Sequence, residues 1–426
     1  MIAATLPARA WHGGWRDGLT YGGLGLPLAF VALPLYVVLP NHYASAYGVP
    51  LALLGAVLLG ARMLDALADP LIGRWADALF SRSPQRAWRA LAAAAVLLAL
   101  GFRALFFPPV DGTTALLWWC AVGLAVTYLS FSTVSVLHQA WGARLGGDEP
   151  QRARIVAWRE GLALAGVLVA SVLPSLAGLD AVTLTFTALL LAGTLLLRRA
   201  PLPAAPRHPQ PAAALTLPWG TPAFRRLLAI YLCNGIASAV PATLVLFFIR
   251  DRLQAPAFEP LFLASYFGAG ALSIPLWLRL VAHLGLARAW LAGILLSIAT
   301  FGWATQLGTG DVMAFAAVCV ASGVALGADL TLPGALLTGV IQQAGHAQQA
   351  EGAYMGWWNF ATKLNLALAA GLALPALQAF GYAPGVRDAA ALAALTAAYC
   401  LLPCVLKLGA AALLYFRWIR NEELQP

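Results

Sequence analysis

Three charged side chains, Arg62, Asp65 and Asp69, stand in the stretch ARMLDALADPLIGRWAD (Ala61 to Asp77), which continues an uncharged apolar run from Pro50 to Gly60. A charge near the centre of a bilayer costs ~2.5–3.5 kcal/mol on insertion scales, so three within two turns need a reason. Asp65 and Asp69 are four apart, which on a helix puts them one turn apart on one face; Arg62, three before Asp65, shares that face. Two carboxylates this close in a low dielectric cannot both ionise cheaply. Either one holds a proton or a bound cation sits between them, and both outcomes describe a site that takes up a cation. The competing reading is a structural network, with Arg62 neutralising one Asp and a distant Lys the other.

Lysine is scarce here. The chain has two, Lys363 and Lys407, beside 24 arginines. A buried ammonium can release its proton, whereas a guanidinium effectively cannot. Lys363 lies roughly ten residues inside its apolar segment, out of easy reach of either membrane face. It could exchange partners with Asp65 and Asp69 as a cation comes and goes. Lys407 reads instead as a side chain that snorkels to an interface, and Arg103 as one that snorkels outward. Asp329, mid-segment and followed by Pro333, either lines a cavity or caps a broken helix. His138 is expected to be solvated or hydrogen-bonded rather than a proton relay.

The elements that must position these groups are membrane helices. Of 426 residues, 61% are hydrophobic and 10% charged, with mean hydropathy +0.78; a soluble domain carries roughly 25% charged residues. The solvent for most of this surface must be lipid. The net charge of +9 therefore needs no nucleic-acid partner. About twelve apolar segments reach the ~20 residues needed to span. They lie near Leu19–Pro40, Pro50–Trp75, Ala90–Phe107, Thr114–Leu137, Ile155–Leu176 and Ala181–Leu197. The second set lies near Leu227–Ile249, Leu261–Trp277, Ala289–Gln306, Val312–Ile341, Tyr354–Phe380 and Ala390–Tyr415.

Arginines crowd the even-numbered connections, from Arg74, Arg82, Arg86 and Arg89 through Arg144, Arg152 and Arg154 to Arg198, Arg199, Arg207, Arg225, Arg226, Arg279 and Arg288. The odd connections hold His42, Asp111 and Asp180, and their arginines (Arg250, Arg252, Arg387) are balanced by Asp251, Glu259 and Asp388. The positive-inside rule then puts both termini in the cytoplasm. Residues 198–223, rich in Pro and Ala, read as a linker between a first six-helix bundle, 1–197, and a second, 224–426. Two parallel halves joined by a cytoplasmic linker is the major facilitator layout. Met1 to Arg16 lacks the apolar core of a signal peptide, so insertion by the first helix is expected. All five cysteines fall inside apolar segments without metal-type spacing and receive no function.

The stretch ARMLDALADPLIGRWADALFSR resembles the second helix of the glycoside–pentoside–hexuronide:cation symporters, the melibiose permease family within the major facilitators. The resemblance implies that Asp65 and Asp69 are the coupling-cation carboxylates. Gly73 and Asp77 match the start of the superfamily's loop motif, where Asp77 and the following arginines, Arg82 among them, would latch the cytoplasmic side. Ser130–Gly166 is similar to the family's fourth and fifth helices, with Arg159 at a substrate-contacting position. Glu351–Gly371 is similar to the eleventh helix, with Lys363 on the family's lysine. The implied function is cation-coupled symport of a small, sugar-like solute by alternating access. The implied setting is a monomer, multi-pass in the inner (cytoplasmic) membrane, with no cofactor beyond H⁺ or Na⁺.

The departures matter too. The acidic positions that accept sugar hydroxyls in the melibiose permease fall here at Ala29 and Ser132, and the Asn before the second helix-two Asp is Ala68. Loss of that oxygen tilts coupling toward protons over a sodium ion held at Asp65 and Asp69. Candidate cavity residues are Tyr128, Trp141, Trp158, Arg159, Glu160, Trp357, Trp358, Asn359 and Lys363. Arg159 with Lys363 suits a carboxylate or phosphate, so a lysophospholipid or amphipathic anion is the second candidate substrate. Most of the fifteen tryptophans read as interfacial or core residues. The alternative of another class is an integral membrane phosphotransferase, but its further Asp is Ser81 here. No other hydrolase, zinc or nucleotide motif appears.

Overall fold

The computed structural model describes residues 11–203, 214–379, 381–382, 385 and 388–420. The middle of the expected linker, with Arg207, and also Arg387, lie outside the described residues. Among those described, every regular element is helical. The elements are α1 (Trp15–Gly22), α2 (Gly25–Phe30), α3 (Leu39–Tyr47), α4 (Leu51–Arg82), α5 (Pro84–Phe106), α6 (Thr113–Arg144) and α7 (Glu149–Leu197). After these come α8 (Pro222–Phe247), α9 (Glu259–Leu284), α10 (Leu286–Ala304), α11 (Val312–Gln343), α12 (Glu351–Ala379), α13 (Ala389–Thr396) and α14 (Leu402–Leu414).

In lipid every backbone amide must be satisfied within its own segment, which is why these apolar runs are helices. Local sequence sets their ends. Ser83 caps α5 by accepting from the Arg86 amide at 3.2 Å, with Pro84 already placed in the first turn. Asp148 does the same for α7, accepting from the Gln151 amide at 2.9 Å. The long α7 holds two spans, Glu149–Pro174 and Leu176–Leu197, with a kink near the start of the second at Gly178, whose φ of 75° only glycine adopts freely. Four single turns are wound wider than an α-helix, as π-helix: Pro34–Val38, Phe248–Arg252, Ala397–Leu401 and Tyr415–Ile419.

Among the described residues, ten helical stretches are long and apolar enough to cross a membrane. The charged α4 and α12, which carries Lys363, complete the about twelve expected. Large apolar side chains face outward as lipid-facing helices require: Leu272 is 83% exposed, Met313 79% and Leu176 78%.

The chain forms two compact units: Met1–Gly220 with Ile341–Phe360, and Thr221–Val340 with Ala361–Pro426. In the first, α2 packs along α7, while α4 and α5 both pack along α6. Its core is aromatic, with Phe102 against Phe186 and Phe80 against Trp141. In the second unit α8 and α10 pack along α14. Phe248 stacks on Tyr399 there, with ring centroids 4.3 Å apart.

Candidate functional site

The acid pair of the first unit lies on α4, and the helix buries it: Asp65 is 3% exposed and Asp69 0%. Oδ1 of Asp65 accepts a hydrogen bond from the Ser132 hydroxyl on α6 at 2.5 Å. Ser132 thus holds a carboxylate. Arg62 shares the face as expected, but its guanidinium lies over the Tyr36 ring, 4.4 Å from the centroid. Tyr128 is buried beside this group, its ring 6.3 Å from that of Tyr36.

Arg159 lies on α7 in a second cluster. Its Nε and Nη2 both donate to Oε1 of Glu160, at 2.9 and 2.6 Å, and Tyr21 lies beside it. The guanidinium charge is therefore balanced by its chain neighbour. His138 is fully buried and hydrogen-bonded, its Nε2 2.8 Å from the Tyr21 carbonyl oxygen. That contact holds α6 against α1. Trp358 is buried and Asn359 half-buried on the part of α12 that belongs to this unit. Two candidate cavity tryptophans are anchored to backbone carbonyls. The Trp141 indole donates to the Pro201 carbonyl and that of Trp357 to the Leu215 carbonyl, both at 2.9 Å.

Past the span, α4 continues to Asp77, which is the centre of a third cluster. Its Oδ1 accepts from the Gly352 amide at 2.7 Å and its Oδ2 from the Ala353 amide at 2.8 Å, at the N-terminal end of α12. A carboxylate suits that end of a helix, where amides are unpaired and the dipole is positive. The arginine that meets Asp77 is Arg144, at 2.8 Å, and Arg144 also reaches Glu351 at 3.0 Å. Arg82, the expected partner, is exposed at the end of α4 and makes no ion pair among the described residues. Arg144 wins because it ends α6 inside the packing, its guanidinium 4.6 Å from the Phe80 ring centroid. The backbones meet closely enough that a Cβ on Gly73 would fall 2.1 Å from the Gly352 carbonyl oxygen. Only glycine fits. Burial pushes the Asp77 carboxyl up to about 7 against the pull of Arg144, and burial raises Glu351 as well.

In the second unit Lys363 is half-buried on α12. Lys407 departs from expectation. It is 2% exposed, and its Nζ donates to Oδ2 of Asp329 at 3.0 Å and Oδ1 of Asn234 at 2.9 Å. Position along an apolar segment does not say which way a side chain faces, and here the half-buried Asp329 supplies a partner that an interface does not. Asp329 lines a cavity and does not cap a broken helix; α11 runs on through Pro333. Arg103 does point outward, paired with Asp180 at 3.0 Å.

Comparison with known proteins places this architecture. "Inner membrane symporter YicJ" of Escherichia coli (strain K12) is 27% identical over 161 residues, 37% of this chain and 34% of that protein. A candidate glycoside/cation symporter of the same organism, YagG, is 26% identical over 160 residues, again 34% of its length. The matched segment thus spans about a third of each relative. Among solved structures, a bacterial homologue of the iron transporter ferroportin in an outward-facing state has TM-score 0.69 at 17% identity, covering 93% of this chain and 99% of that one. The transporter FucP in its outward conformation has TM-score 0.68 at 14% identity, covering 94% and 98%; likenesses at this identity carry the fold alone. The family model described as MFS/sugar transport protein matches residues 19–421, and the chain therefore belongs to that family.

Proposed function

We propose that this chain is a cation-coupled symporter of a small, sugar-like solute in a bacterial inner membrane, with Asp65 and Asp69 as its coupling site. The observation that carries the reading is the pair of buried carboxylates one turn apart on α4, one of them held by Ser132. Such a pair has a strong electrostatic demand for a cation, and a driving ion meets it. Membership of a sugar-transport family and partial similarity to an inner membrane symporter and a candidate glycoside/cation symporter support the solute class and location. A proton is the favoured ion. It needs one carboxylate, and Ala68 removes an oxygen that sodium would use. The Arg159–Glu160 pair, with no net charge, suits hydroxyl groups better than the lysolipid or organic anion that an isolated arginine would favour.

In this scheme Tyr128, Arg159, Trp358 and Asn359 contact solute. Lys363 is the countercharge of the empty carrier, displaced when the cation binds. Gly73, Asp77 and Arg144 form the cytoplasmic latch. Cation and solute affinities are then linked reciprocally. The test is uptake by purified protein in liposomes under an imposed pH or sodium gradient, with a panel of monosaccharides, glycosides, organic anions and lysolipids. Accumulation of a sugar in wild type, and its loss in Asp65→Asn and Asp69→Asn with the protein still folded, is expected. Full gradient-driven accumulation in both variants refutes the assignment, and accumulation of an anion or lysolipid instead refutes the solute class.

A further inference from the structure

The second unit holds a cavity of about 130 Å³ that the coupling scheme does not use. Its walls are rings, Phe262, Tyr266, Phe267, Phe301 and Tyr399, with Pro241, Val245 and Leu326 between them. Asp329 and Lys407 also line it. A cavity of about 150 Å³ with Leu, Ile and Phe walls holds one benzene molecule, so this space takes a single ring and little more.

The polar groups then define the substituent. The Asp329 carboxylate already has four donors: the Asn234 amide at 3.0 Å and Trp290 indole at 2.9 Å on Oδ1, the Ser238 hydroxyl at 3.2 Å and the Lys407 ammonium at 3.0 Å on Oδ2. It is saturated. An ammonium has three hydrogens, and Lys407 uses two, on Asp329 and Asn234. Its third has no acceptor among the described residues, and nor have the hydroxyls of Tyr266, Tyr399 and Ser297, which line the same cavity. Lys407, Tyr399 and Ser297 are each at least nine-tenths buried. These donors line the cavity, where one neutral acceptor beside Lys407 would satisfy them. The charges of Lys407 and Asp329 cancel, so an anion would bring an uncompensated charge into an apolar space. A neutral oxygen would not.

We propose that this cavity is a binding site for a small neutral aromatic alcohol or phenol, its ring among the aromatic walls and its oxygen accepting from Lys407. The site lies wholly within the second unit and is independent of the coupling assignment; it stands or falls whether or not Asp65 and Asp69 drive transport. The test uses purified full-length protein in detergent micelles and ¹⁹F NMR of 4-fluorobenzyl alcohol, with fluorobenzene and 4-fluorobenzoate as controls. Wild type should give a saturable bound signal at one probe per chain, absent from empty micelles, and 4-fluorobenzoate should not displace it. Ser322→Leu, which fills the cavity, should abolish binding; Ala242→Leu on another wall serves if that variant does not fold. The double variant Lys407→Met/Asp329→Asn stays neutral but loses the donor. It should bind the alcohol at least tenfold more weakly and fluorobenzene unchanged. A signal rising linearly with probe as in empty micelles overturns the proposal. So does binding unaffected by the filling variants, equal binding of the alcohol to the double variant, or displacement by the benzoate.

Discussion

Replacing Lys407 with Met leaves the shape of α14 almost unaltered and removes the ammonium from a carboxylate that is only 14% exposed. Breaking a buried ion pair from one side costs about 3–5 kcal/mol, because the other charge stays buried without its partner. Asp329 keeps its bonds from Asn234, Trp290 and Ser238, which puts the expected loss near the lower end, ~3 kcal/mol. At 1.4 kcal/mol per tenfold, that is more than a hundredfold in the folded-to-unfolded ratio. Asp329→Asn alone should cost a similar amount by stranding the ammonium. The double variant replaces the pair with a neutral amide and a thioether among apolar walls and should fall within ~1 kcal/mol of wild type. The assay is equilibrium unfolding in mixed micelles on titration with sodium dodecyl sulfate, followed by near-ultraviolet circular dichroism. A Lys407→Met variant within 1 kcal/mol of wild type would match a lysine that snorkels to an interface and would refute the buried pair, as would a double variant that loses the sum of the two single effects.

Ser132→Ala removes the hydroxyl that holds Asp65 and should weaken coupling-cation affinity by about tenfold, in line with ~1.5 kcal/mol for a hydrogen bond to a charged group; affinity unchanged in a titration of ion-dependent solute binding refutes that role. The Asp77 cluster should be pH-sensitive in a definite direction. Its folded-state pKa of about 7 lies above the ordinary carboxyl value of 3.8, so its contribution to stability is fully present below the ordinary value and is lost as pH rises through 7. Between pH 6 and 8 the α12 amides of Gly352 and Ala353 should lose about tenfold in hydrogen-exchange protection after correction for intrinsic exchange, and Asp77→Asn should remove the part of that dependence not carried by Glu351. Arg159→Ala should weaken solute binding more than cation binding, since it unbalances Glu160 at the solute cluster while Asp65 and Asp69 are untouched; equal losses in both titrations contradict this.

Much of this arrangement is legible in the sequence because it is local. The four-residue spacing of Asp65 and Asp69, the apolar lengths of the spans and the arginine-rich connections follow from helix geometry and the dielectric of lipid. What stays hidden is tertiary. Arg144 and Asp77 are 67 positions apart and Gly352 a further 275 from Asp77, and nothing local distinguishes Arg144 from Arg82 as the partner. A signal for Lys407 did exist. Asp329 and Lys407 are unlike charges in apolar segments of the same half, and a buried charge requires a partner. Ser132 is hidden for another reason: measured against sugar acceptors it reads as a lost group, and only the fold brings it to Asp65.

The wide turns Ala397–Leu401 and Tyr415–Ile419 bracket α14, and with it Lys407. Each such turn accommodates one residue more than the helix around it, as a dislocation accommodates an extra row of atoms in a crystal. A dislocation moves cheaply because each step exchanges one bond for its neighbour and leaves none open. In lipid, where an open amide costs several kcal/mol, this is how a helix can turn part of its length without breaking. Between two such dislocations α14 packs along α8 and α10, and its lysine is the tooth that fixes the angle.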